Sequence, residues 1–589
     1  MSKKTPFSFR SHLWGHDDTF FEVNKDQIIE LKGNRYEFSG LTYPKFIPYI
    51  KEVLGVDITT VAPLSPQAEH AISEPIENKE FINAISSHLK TDQINKEPLQ
   101  RLHNSHGQTT CFEVYKIVYH GKMSRLVDMV LYPETEEDAA LIIEQARVYD
   151  VCIVPYGGGT NVTSALLLPD NEDRMIISLD MSRMNKIEWI NEENQTACVQ
   201  AGIKGLDLED QLNAKGYILG HQPDSVEFST LGGWISTNAS GMKKNKYGNI
   251  DDIVETVYMV TPNGALEQRE GMCRTSMGIK AQASLFGSEG NLGLITKAVV
   301  KIHKKPEVTQ YESLIFKDFT TGIAFIKELS KTNFVPASIR LVDNFQLGFG
   351  QVFKQDSKGL QKVISKLLIG FLKNVKGFDL KQIALSTIVM EGSKDEVSYQ
   401  KKQLNKLAKK YGALAAGGKN GKGGYNLTFM IAYIRDFLFE YHIIGDTLET
   451  SVPYDKIQTV IKAVEECYHK EYNALGIKAN PYISYRIPQI YHTGVCIYFM
   501  FGIYTEGLPH PEDAFSDLEH KIRATIVENG GSISHHHGVG KLRKDFLPEI
   551  TSKQSRDLVR GIKQATDPTN VFGIRNNVFA LEENSDEKK

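Results

Sequence analysis

The sequence lacks long apolar runs, paired-cysteine motifs and an excess of basic charge. None of its 589 residues lies in a stretch near the roughly 18 uninterrupted apolar residues of a membrane-spanning helix, and no apolar signal core follows the N-terminus. The six cysteines are dispersed without a C-x-x-C pair, so neither a disulfide framework nor a metal-binding spacing is predicted. A net charge of −4 offers no general field for nucleic acid. These absences predict a soluble or peripheral protein with reduced thiols and no nucleic-acid partner.

The length predicts several domains, because 589 residues exceed what one hydrophobic core usually organises. Changes in composition divide the chain into an irregular N-terminal extension at 1–121 that packs on the main body, a mixed segment at 122–306, a segment of alternating helices and strands at 307–507, and a C-terminal segment at 508–589. The acidic tail of the last segment is expected to be disordered.

The second segment begins with the pattern of a βαβ unit. Residues 126–131 predict a strand, and Thr135 begins a capping-box sequence for a helix over 139–149. The apolar run 151–154 predicts the next strand, and 175–179 predicts another. The segment is therefore predicted to be a mixed α+β domain.

A glycine loop directly follows the strand at 151–154 and is the first candidate for a binding site. Three successive glycines lack Cβ atoms, so their backbone N–H groups can approach a phosphate, and the two residues after them add side-chain donors. The spacing fits neither the P-loop pattern nor the dinucleotide-binding G-x-G-x-x-G pattern. A glycine turn that merely ends a strand is the alternative for such a loop taken alone. The loop consists of Pro155, Tyr156, Gly157, Gly158, Gly159, Thr160 and Asn161.

Two further segments alternate glycine with serine, threonine and asparagine, which lets a backbone approach a flat polar ligand. Close packing of a helix on a sheet explains one such segment, but three within about 140 residues favour a common ligand. The candidate residues of the first are Pro223, Asp224, Ser225, Val226, Glu227, Phe228, Ser229, Ser236, Thr237, Asn238 and Ala239. Those of the second are Ser288, Glu289, Gly290, Asn291, Leu292, Gly293 and Leu294.

In order and spacing, the three segments resemble the FAD-binding domain of the vanillyl-alcohol-oxidase (PCMH-type) flavoenzymes. The resemblance implies an α+β fold with an FAD-binding domain at 122–306 and an α/β cap domain at 307–507. It implies that the glycine loop holds the FAD pyrophosphate, while the other two segments line the ribityl, flavin and adenine groups. Several relatives attach the flavin covalently through a histidine beside the loop. Because Thr160 and Asn161 stand there instead, non-covalent FAD is expected.

Three adjacent histidines, His535, His536 and His537, lie between glycines near the C-terminus. In an extended chain at most two of three successive side chains share a face, and three-histidine metal sites draw on spaced ligands, so no metal is predicted. A solvated polar loop is the alternative. Related D-lactate and glycolate dehydrogenases carry Glu-His-Gly-x-Gly at this position, which makes the loop an active-site candidate. The exchange of a carboxylate for a titratable imidazole argues against simple oxidation of a 2-hydroxy acid.

The His-His-His-Gly loop and the strand Thr-Gly-x-Cys-Ile-Tyr-Phe resemble the alkyl-dihydroxyacetonephosphate synthase (alkylglycerone-phosphate synthase) family, and the resemblance covers nearly the whole chain. It implies an FAD-dependent alkyl transferase of ether-lipid biosynthesis. The acyl chain of 1-acyl-dihydroxyacetone phosphate would be exchanged for a long-chain fatty alcohol through a covalent flavin N5 adduct, without net redox change. The resemblance also implies a homodimer, peripheral membrane contact and a peroxisomal location, although the sequence has no Ser-Lys-Leu ending.

Candidate catalytic and substrate-binding residues follow from this resemblance. Tyr498 matches the family's catalytic tyrosine, and a phenol can move the ketose proton if neighbouring cations lower its pKa. By residue type alone, a strand tyrosine is a packing residue. Arg435 stands in an apolar setting and is expected to bind a phosphate or a carboxylate, with the adjacent Asp436 as the structural alternative. The three histidines are expected to bind phosphate and assist proton transfer, and Arg340 is a weaker candidate for contacts between cap and flavin.

Other functions remain open at this stage. An FAD-dependent D-2-hydroxy-acid dehydrogenase would share the domain, and a catalytically silent lipid- or flavin-binding protein is a second class. An amphipathic helix at 360–373 either lies on a membrane surface or, as most such helices do, packs on a core. A glycine-rich loop at 417–424 either gates the active site or is a plain connection.

Overall fold

The computed structural model describes residues 10, 12–58, 61–62, 72–121, 123–354, 377–418, 421 and 427–581. The helix predicted at 360–373, most of the loop predicted at 417–424 and nearly all of the acidic tail lie outside these residues. Within them, no helix has both the length and the apolar character needed to cross a membrane.

The N-terminal segment consists of short strands and helices that pack partly on the cap and partly on the glycine-loop domain. Phe46 stacks edge-on against Phe349 and Phe437, with ring centroids 6.4 and 6.0 Å away, so this segment shares a hydrophobic core with later parts of the chain. The sequence predicted an irregular extension, because the short elements carry no sustained period. The elements are β1 (Phe21–Val23), β2 (Ile29–Leu31), β3 (Thr42–Tyr43), α1 (Phe46–Leu54), α2 (Lys79–Ser86), β4 (Ile94–Asn95), α3 (Pro98–His103) and α4 (Cys111–His120).

The next segment, the glycine-loop domain, contains two larger sheets and the two-stranded sheet β10-β14. The first has the order β4-β5-β7-β6, in which β5, β7 and β6 are parallel; the second is antiparallel with the order β12-β11-β13-β9-β8. Its strands are β5 (Met129–Leu131), β6 (Cys152–Tyr156), β7 (Ile176–Asp180), β8 (Ile187–Asn191), β9 (Thr196–Gln200), β10 (Tyr217–Ile218), β11 (Val254–Thr261), β12 (Gly264–Leu266), β13 (Leu294–Lys301) and β14 (His303–Lys304). Its helices are α5 (Glu136–Val148), α6 (Gly205–Asn213), α7 (Leu231–Thr237), α8 (Lys244–Tyr247) and α9 (Ile250–Ile253).

The first elements of this domain can be compared with the βαβ unit that the sequence predicted. Thr135 Oγ1 accepts a hydrogen bond from the backbone N–H of Asp138 at 3.1 Å, which confirms the predicted helix N-cap. The strand predicted at 126–131 is shorter and begins at Met129. The backbone before Met129 bonds to a different segment instead of a neighbouring strand, since Val127 N donates to the Ser105 hydroxyl at 2.9 Å.

The cap is built on one seven-stranded antiparallel sheet with the order β18-β15-β17-β16-β20-β21-β19. A large apolar cluster fills the space between this sheet and the helices that cover it. The strands are β15 (Val308–Phe316), β16 (Ser338–Val342), β17 (Ala384–Gly392), β18 (Leu414–Ala415), β19 (Ile443–Pro453), β20 (Tyr482–Ile490) and β21 (Gly494–Tyr504). The helices are α10 (Phe319–Leu329), α11 (Asn344–Val352), α12 (Lys394–Lys410), α13 (Ile431–Phe439) and α14 (Ile457–Ala474).

The C-terminal segment returns the chain from the cap to the glycine-loop domain. It contains helices α15 (Pro511–Glu528), α16 (Leu547–Ile550) and α17 (Lys553–Thr566), and the three histidines lie in the loop between α15 and α16. Val571 O accepts a hydrogen bond from Ile153 N at 2.7 Å, and Asn576 N donates to Asn291 Oδ1 at 2.9 Å. These bonds attach the end of the chain to the glycine-loop domain, and Val539 N and Gly540 N, just after the histidines, donate to Glu289 at 2.6 and 2.8 Å.

Candidate active site

One cavity of about 440 Å³ is lined by both the glycine-loop domain and the cap. The predicted residues Arg435, Tyr498, His536 and His537 lie on its wall. The fold therefore brings the candidate catalytic and substrate-binding residues, which lie late in the sequence, next to the glycine segments, which lie early in it. The predicted cofactor residues on the same wall are Pro155, Tyr156, Gly157, Gly158, Gly159, Thr160, Asn161, Pro223, Asp224, Ser225, Ser229, Ser236, Thr237, Ala239, Glu289, Gly290, Gly293 and Leu294.

Some predicted site residues do not line this cavity. Glu227 accepts hydrogen bonds from the Tyr36 hydroxyl at 2.8 and 3.0 Å, and Phe228 packs edge-on against Trp14, so both side chains join the glycine-loop domain to the N-terminal segment. Their contacts with a cofactor stay a prediction. The full set away from the wall is Val226, Glu227, Phe228, Asn238, Ser288, Asn291, Leu292 and His535.

The three glycines of the loop are required by the chain itself as well as by a ligand. A Cβ on Gly157 would lie 2.5 Å from Thr230 Oγ1, and a Cβ on Gly158 would lie 2.1 Å from the carbonyl oxygen of Phe228. Gly159 has a φ of +65°, a conformation that residues with side chains rarely adopt. The sequence indicated a bound anion or a turn at the end of a strand as reasons for the glycines, and it could not show the close approach of the segment around Thr230, which is a tertiary contact.

Two polar groups beside these glycines have no hydrogen-bond partner among the described residues. The amide Nδ2 of Asn161 and the hydroxyl of Tyr156 are buried in residues that line the cavity, and neither forms a hydrogen bond with any residue that the structure describes. Asn161 Oδ1 is occupied, since it accepts a hydrogen bond from Ala165 N at 2.9 Å. A buried donor without an acceptor costs about 1–3 kcal/mol. These two donors therefore fit a bound anion such as the FAD pyrophosphate.

We predict that Gly158→Ala weakens FAD binding by about 10- to 100-fold, because forcing a methyl group into a filled site costs about 1–3 kcal/mol. Its Cβ meets a backbone carbonyl, so the loop must shift. The measurement is the dissociation constant of FAD, with flavin absorbance per protein as a second readout. Gly561→Ala is the matched control, because a Cβ there meets open space in helix α17. Equal FAD affinity in the two variants would contradict the prediction.

Strand register places three chemically different side chains in one row of the cap sheet. Tyr498 of β21 pairs with Arg486 of β20 on one side and with Glu449 of β19 on the other. Side chains paired across neighbouring strands project from the same face. The guanidinium carbon of Arg486 lies 4.4 Å from the centroid of the Tyr498 ring. A tyrosine is thus placed between a cation and a buried carboxylate.

The cap contacts the glycine-loop domain through Asp224. Its carboxylate lies 3.3 Å from Arg340 Nη2 and 3.8 Å from Arg486 Nη2. Arg340, which was predicted to mediate contacts between cap and flavin, thus bonds to a residue of the predicted cofactor segment. Direct contact of Arg340 with the flavin stays a prediction.

The three histidines divide between two tyrosines. The Tyr498 hydroxyl oxygen lies 2.8 Å from His536 Nε2 and 3.0 Å from His537 Nε2, and the Tyr491 hydroxyl oxygen lies 2.6 Å from His535 Nε2. The Nδ1 atoms of His535 and His536 are 2.7 Å apart, so one of them carries a proton and donates it to the other. Two of the three imidazoles therefore meet the catalytic candidate Tyr498, and the third is connected to it through His536.

Glu449 holds the histidine loop from the cap side. Its Oε1 accepts hydrogen bonds from the Ser534 hydroxyl at 2.9 Å, from Arg543 Nη1 at 2.8 Å and from His537 N at 3.2 Å. Its Oε2 accepts one from His535 N. The ring Nδ1 of His537 lies 3.4 Å from Oε1. One buried carboxylate thus fixes the backbone of the loop and lies beside the ring that contacts Tyr498.

Burial governs the protonation of these groups. It lowers the pKa of His535 to about 3 and also lowers the pKa of His536 and of His537, so all three imidazoles are neutral at pH 7. Burial, reinforced by the charge of Asp224, raises the pKa of Tyr498 well above its ordinary value. The condition that cations lower the pKa of Tyr498 is not met, because the effect of Arg486 is smaller than the cost of desolvating a phenolate.

Arg435 lies on the cavity wall and already holds protein partners. Its Nη2 donates to Asp436 Oδ1 at 2.5 Å and to the carbonyl oxygen of Gln108 at 2.9 Å, and its Nε donates to the same carboxylate at 3.1 Å. The structural alternative, pairing with Asp436, is thus present. No hydrogen bond joins Nη1 to the part of the chain that the structure describes, which leaves this donor for a ligand.

Three potential metal ligands meet at the histidine loop. One ligand atom each from Cys496, His535 and His536 lies within 4.8 Å of the others. Two imidazole ligands of one tetrahedral zinc ion lie about 3.3 Å apart, given Zn–N distances of about 2.05 Å. The Nδ1 atoms of His535 and His536 are closer than that, at 2.7 Å, which fits a shared proton. The sequence did not indicate the cysteine as a neighbour, because the strand that carries it lies about 40 residues away.

Much of the cavity wall is apolar and comes from segments that the sequence analysis left without a function. Helix α1, in the segment predicted only to pack on the main body, supplies part of this wall. The apolar spacing of α1 is the one sequence signal, and any helix that packs on a core shares it. Representative apolar residues of the wall are Ile50, Val53, Leu54, Phe349, Leu438 and Ile503.

Known proteins match the chain along nearly its whole length. Residues 127–268 match the family described as FAD binding domain, and residues 305–574 match the family described as FAD linked oxidases, C-terminal domain. The chain is 39% identical over 582 residues to the alkyldihydroxyacetonephosphate synthase of Caenorhabditis elegans, which covers 97% of this chain and 96% of the relative. It is 31% identical over 508 residues to that of Trypanosoma brucei brucei, covering 86% and 81%.

Solved structures agree with these matches. A structure of alkyldihydroxyacetonephosphate synthase superimposes with a TM-score of 0.83 at 29% identity, covering 96% of this chain and 98% of the other. A structure of p-cresol methylhydroxylase, at 14% identity and a TM-score of 0.62 over 85% of this chain and 97% of the other, shows a shared fold. The predicted α+β flavoenzyme fold and the predicted FAD cofactor are confirmed.

Proposed function

The chain belongs to the alkyldihydroxyacetonephosphate synthase family of FAD-dependent enzymes of ether-lipid biosynthesis, and from this membership we propose its reaction. The enzyme exchanges the acyl chain of 1-acyl-dihydroxyacetone phosphate for a long-chain fatty alcohol. The bond between carbon 1 and the carboxylate oxygen breaks, and a bond from carbon 1 to the alcohol oxygen forms. The alcohol proton leaves with the released fatty acid or enters solvent, so substrates and products have the same oxidation state.

One observation carries this proposal. A single cavity is lined by the glycine loop, by Arg486 and Tyr498 of the cap sheet, and by an apolar wall. The burial of each CH₂ group of a chain contributes about 0.8 kcal/mol. A wall built from helices α1, α11 and α13 therefore favours a long alkyl chain over a short hydroxy acid. A D-2-hydroxy-acid dehydrogenase has no use for such a wall.

The residues of the chain divide the chemical tasks. The glycine loop and the donors of Tyr156 and Asn161 bind the FAD pyrophosphate, and the presence of Thr160 and Asn161 after the glycines supports non-covalent attachment. Bound FAD would supply, at its N5, the reversible covalent chemistry that permits exchange without net redox change. Tyr498 moves the proton of carbon 1, and His536 and His537 orient its hydroxyl.

Arg435 is proposed to bind the substrate phosphate through the edge that its protein partners leave open. Arg435→Lys is expected to raise KM for acyl-dihydroxyacetone phosphate about 10- to 100-fold, because an ammonium cannot hold Asp436, Gln108 and a phosphate in one plane. Steady-state kinetics of the FAD-loaded variant measures this effect. Arg147→Lys is the matched control, because Arg147 forms an exposed pair with Glu144 on helix α5. Wild-type kinetics in Arg435→Lys would assign Arg435 a structural role.

The reaction is tested with purified FAD-loaded protein, acyl-dihydroxyacetone phosphate and labelled hexadecanol. The expected result is a labelled ether product and an equal amount of free fatty acid, with no net reduction of the flavin. A parallel sample receives D-lactate or glycolate. Bleaching of the flavin by a hydroxy acid, without ether formation, would replace the proposal by a dehydrogenase. The absence of both reactions would leave a binding protein.

The family resemblance also supports a homodimer, peripheral contact with a membrane and a peroxisomal location as parts of the proposal.

A further inference from the structure

Four side chains form a continuous line of hydrogen bonds that begins at Tyr498. The Tyr498 hydroxyl contacts His536 Nε2 at 2.8 Å, and His536 Nδ1 contacts His535 Nδ1 at 2.7 Å. His535 Nε2 then contacts the Tyr491 hydroxyl at 2.6 Å. Tyr498 and the histidines belong to the proposed chemistry, whereas Tyr491 has no task in it. The line therefore extends the active site by one residue that the mechanism does not yet use.

The line allows two consistent arrangements of its protons. A neutral imidazole has one donor and one acceptor nitrogen, and burial keeps His535 and His536 neutral. All hydrogen bonds can therefore point from Tyr498 towards Tyr491, or all can point the opposite way. The passage of one proton along the line converts the first arrangement into the second. A set of groups with this property can carry a proton in either direction without leaving a charge inside.

The two ends of the line differ in exposure. Tyr498 is buried beside the cavity. Tyr491 is partly exposed, its hydroxyl also lies 3.3 Å from Gln489 Oε1, and the exposed residues His492 and Thr493 follow it in the turn before β21. The other imidazole that contacts Tyr498 does not extend the line towards the surface, because the Nδ1 atom of His537 lies 3.4 Å from the buried carboxylate of Glu449. Only the branch through His536, among the residues that the structure describes at this hydroxyl, approaches the surface.

We propose that Tyr498, His536, His535 and Tyr491 form a proton relay that connects carbon 1 of the bound substrate with solvent. The inference rests on the proposed function, since it assigns a route to the proton which that reaction must remove and return. Tyr491 acts through the histidines and is a positioning residue of the relay. Lys244 Nζ lies 3.3 Å from the centroid of the Tyr491 ring and stabilises negative charge on that ring during transfer.

The relay balances its protons at every bond. When the C1–H bond breaks, the substrate keeps the electron pair and its proton goes to the Tyr498 oxygen, while the former Tyr498 proton goes to His536 Nε2. The His536 Nδ1 proton goes to His535 Nδ1, the His535 Nε2 proton goes to Tyr491, and the Tyr491 proton goes to water. All four side chains end neutral in the opposite arrangement. The return of a proton to carbon 1 reverses each step and restores the first arrangement.

The test replaces Tyr491 by phenylalanine in the FAD-loaded enzyme. Tyr491→Phe removes the acceptor of His535 Nε2, so kcat for alkyl exchange is expected to fall about 100-fold with KM for acyl-dihydroxyacetone phosphate unchanged. The release of deuterium from carbon 1 into water, measured without any alcohol, should fall equally. In mixtures of H₂O and D₂O, the wild-type rate should curve with the deuterium fraction, because several protons move together. The Tyr491→Phe rate should change linearly.

Tyr454→Phe is the matched control, because the Tyr454 hydroxyl donates to the backbone carbonyl of Tyr491 at 3.0 Å and takes no part in the line. It should retain the wild-type kcat and the curved isotope dependence. Since the links act in series, the double variant Tyr491→Phe/His535→Gln should lose little more than His535→Gln alone.

The possible outcomes distinguish a failure of the relay from a failure of the proposed function. A wild-type enzyme that makes ether, with Tyr491→Phe equal to it in kcat and isotope dependence, would overturn the relay alone. Equal losses in Tyr454→Phe and Tyr491→Phe would also overturn it, since they would reveal a packing effect. A wild-type enzyme that neither forms ether nor releases deuterium would overturn the proposed function, and the relay with it.

Discussion

Replacing Tyr498 with phenylalanine is expected to leave FAD bound and to lower kcat for alkyl exchange by about 100- to 10,000-fold, the range that a positioned proton-transfer group contributes. Phenylalanine keeps the ring that packs below Arg486 and removes only the hydroxyl. The Nε2 atoms of His536 and His537 then lose their common partner. Neither imidazole is positioned to replace the hydroxyl, because Glu449 holds the backbone of their loop on the cap sheet.

The elevated pKa of Tyr498 determines the form in which its hydroxyl takes part in the reaction. Because burial raises that pKa, the phenol stays protonated throughout the physiological range and cannot act as a preformed phenolate. It accepts the C1 proton only as its own proton moves on to a neighbouring imidazole. A rate that rises with pH towards the ordinary tyrosine value of about 10 would indicate a phenolate mechanism instead.

Flavin absorbance and single-turnover kinetics of Tyr498→Phe separate cofactor binding from chemistry. The control is Tyr468→Phe, which removes a buried hydroxyl that donates to Gly502 O of the same strand at 2.8 Å but has no contact with the histidines. It should lose some stability and retain turnover. Normal turnover in Tyr498→Phe, with flavin bound, would remove Tyr498 from the mechanism.

The parts of the site that the sequence predicted are those encoded in short runs of residues. The glycine loop, the two later glycine segments and the histidine run each carry their chemistry within about a dozen consecutive positions. The N-cap at Thr135 is equally local. Such features do not depend on how distant segments pair, so residue type and spacing suffice to find them.

The missed parts depend on strand register across the cap sheet. Arg486 and Glu449 meet Tyr498 because β20 and β19 pair with β21 at one particular register, and a shift by one residue would turn both side chains to the opposite face. Nothing in the residues around Glu449 indicates which histidine loop it will bind. The contribution of helix α1 to the cavity wall is likewise a tertiary contact between segments hundreds of residues apart.

Glu449→Gln is expected to lower the free energy of unfolding by about 3–5 kcal/mol, because removing one partner of a buried ion pair leaves the other charge uncompensated. Arg543 is that partner, at 2.8 Å, and both side chains are buried. Burial alone would raise the pKa of Glu449, but Arg543, together with His537 at the acidic pH where that imidazole gains its proton, instead holds that pKa well below its ordinary value. The stabilisation is therefore fully present above about pH 4.3, the value of an unfolded glutamate, and is lost as the pH falls through the lower folded pKa.

The amide also has the wrong donor pattern for this position. Both carboxylate oxygens of Glu449 accept, Oε2 from His535 N and Oε1 from three donors that include Arg543. The NH₂ of glutamine can only donate, so in either orientation it faces an N–H or a guanidinium. The histidine loop must move to relieve this contact, and the rings on Tyr498 move with it. We therefore expect kcat of Glu449→Gln to fall together with stability, even at temperatures where the variant is fully folded.

Chemical denaturation at pH 7 and kcat at low temperature separate these two effects. Glu144→Gln is the matched control, because Glu144 pairs with Arg147 at 2.7 Å and both side chains are exposed, so its loss should cost less than about 1 kcal/mol. Arg543→Met added to Glu449→Gln should restore part of the stability by removing the unpaired cation, yet it should not restore kcat, since the loop still lacks its acceptor. A double variant that recovers both would mean that Glu449 serves only to neutralise Arg543, and that the histidines keep their positions on Tyr498 without it.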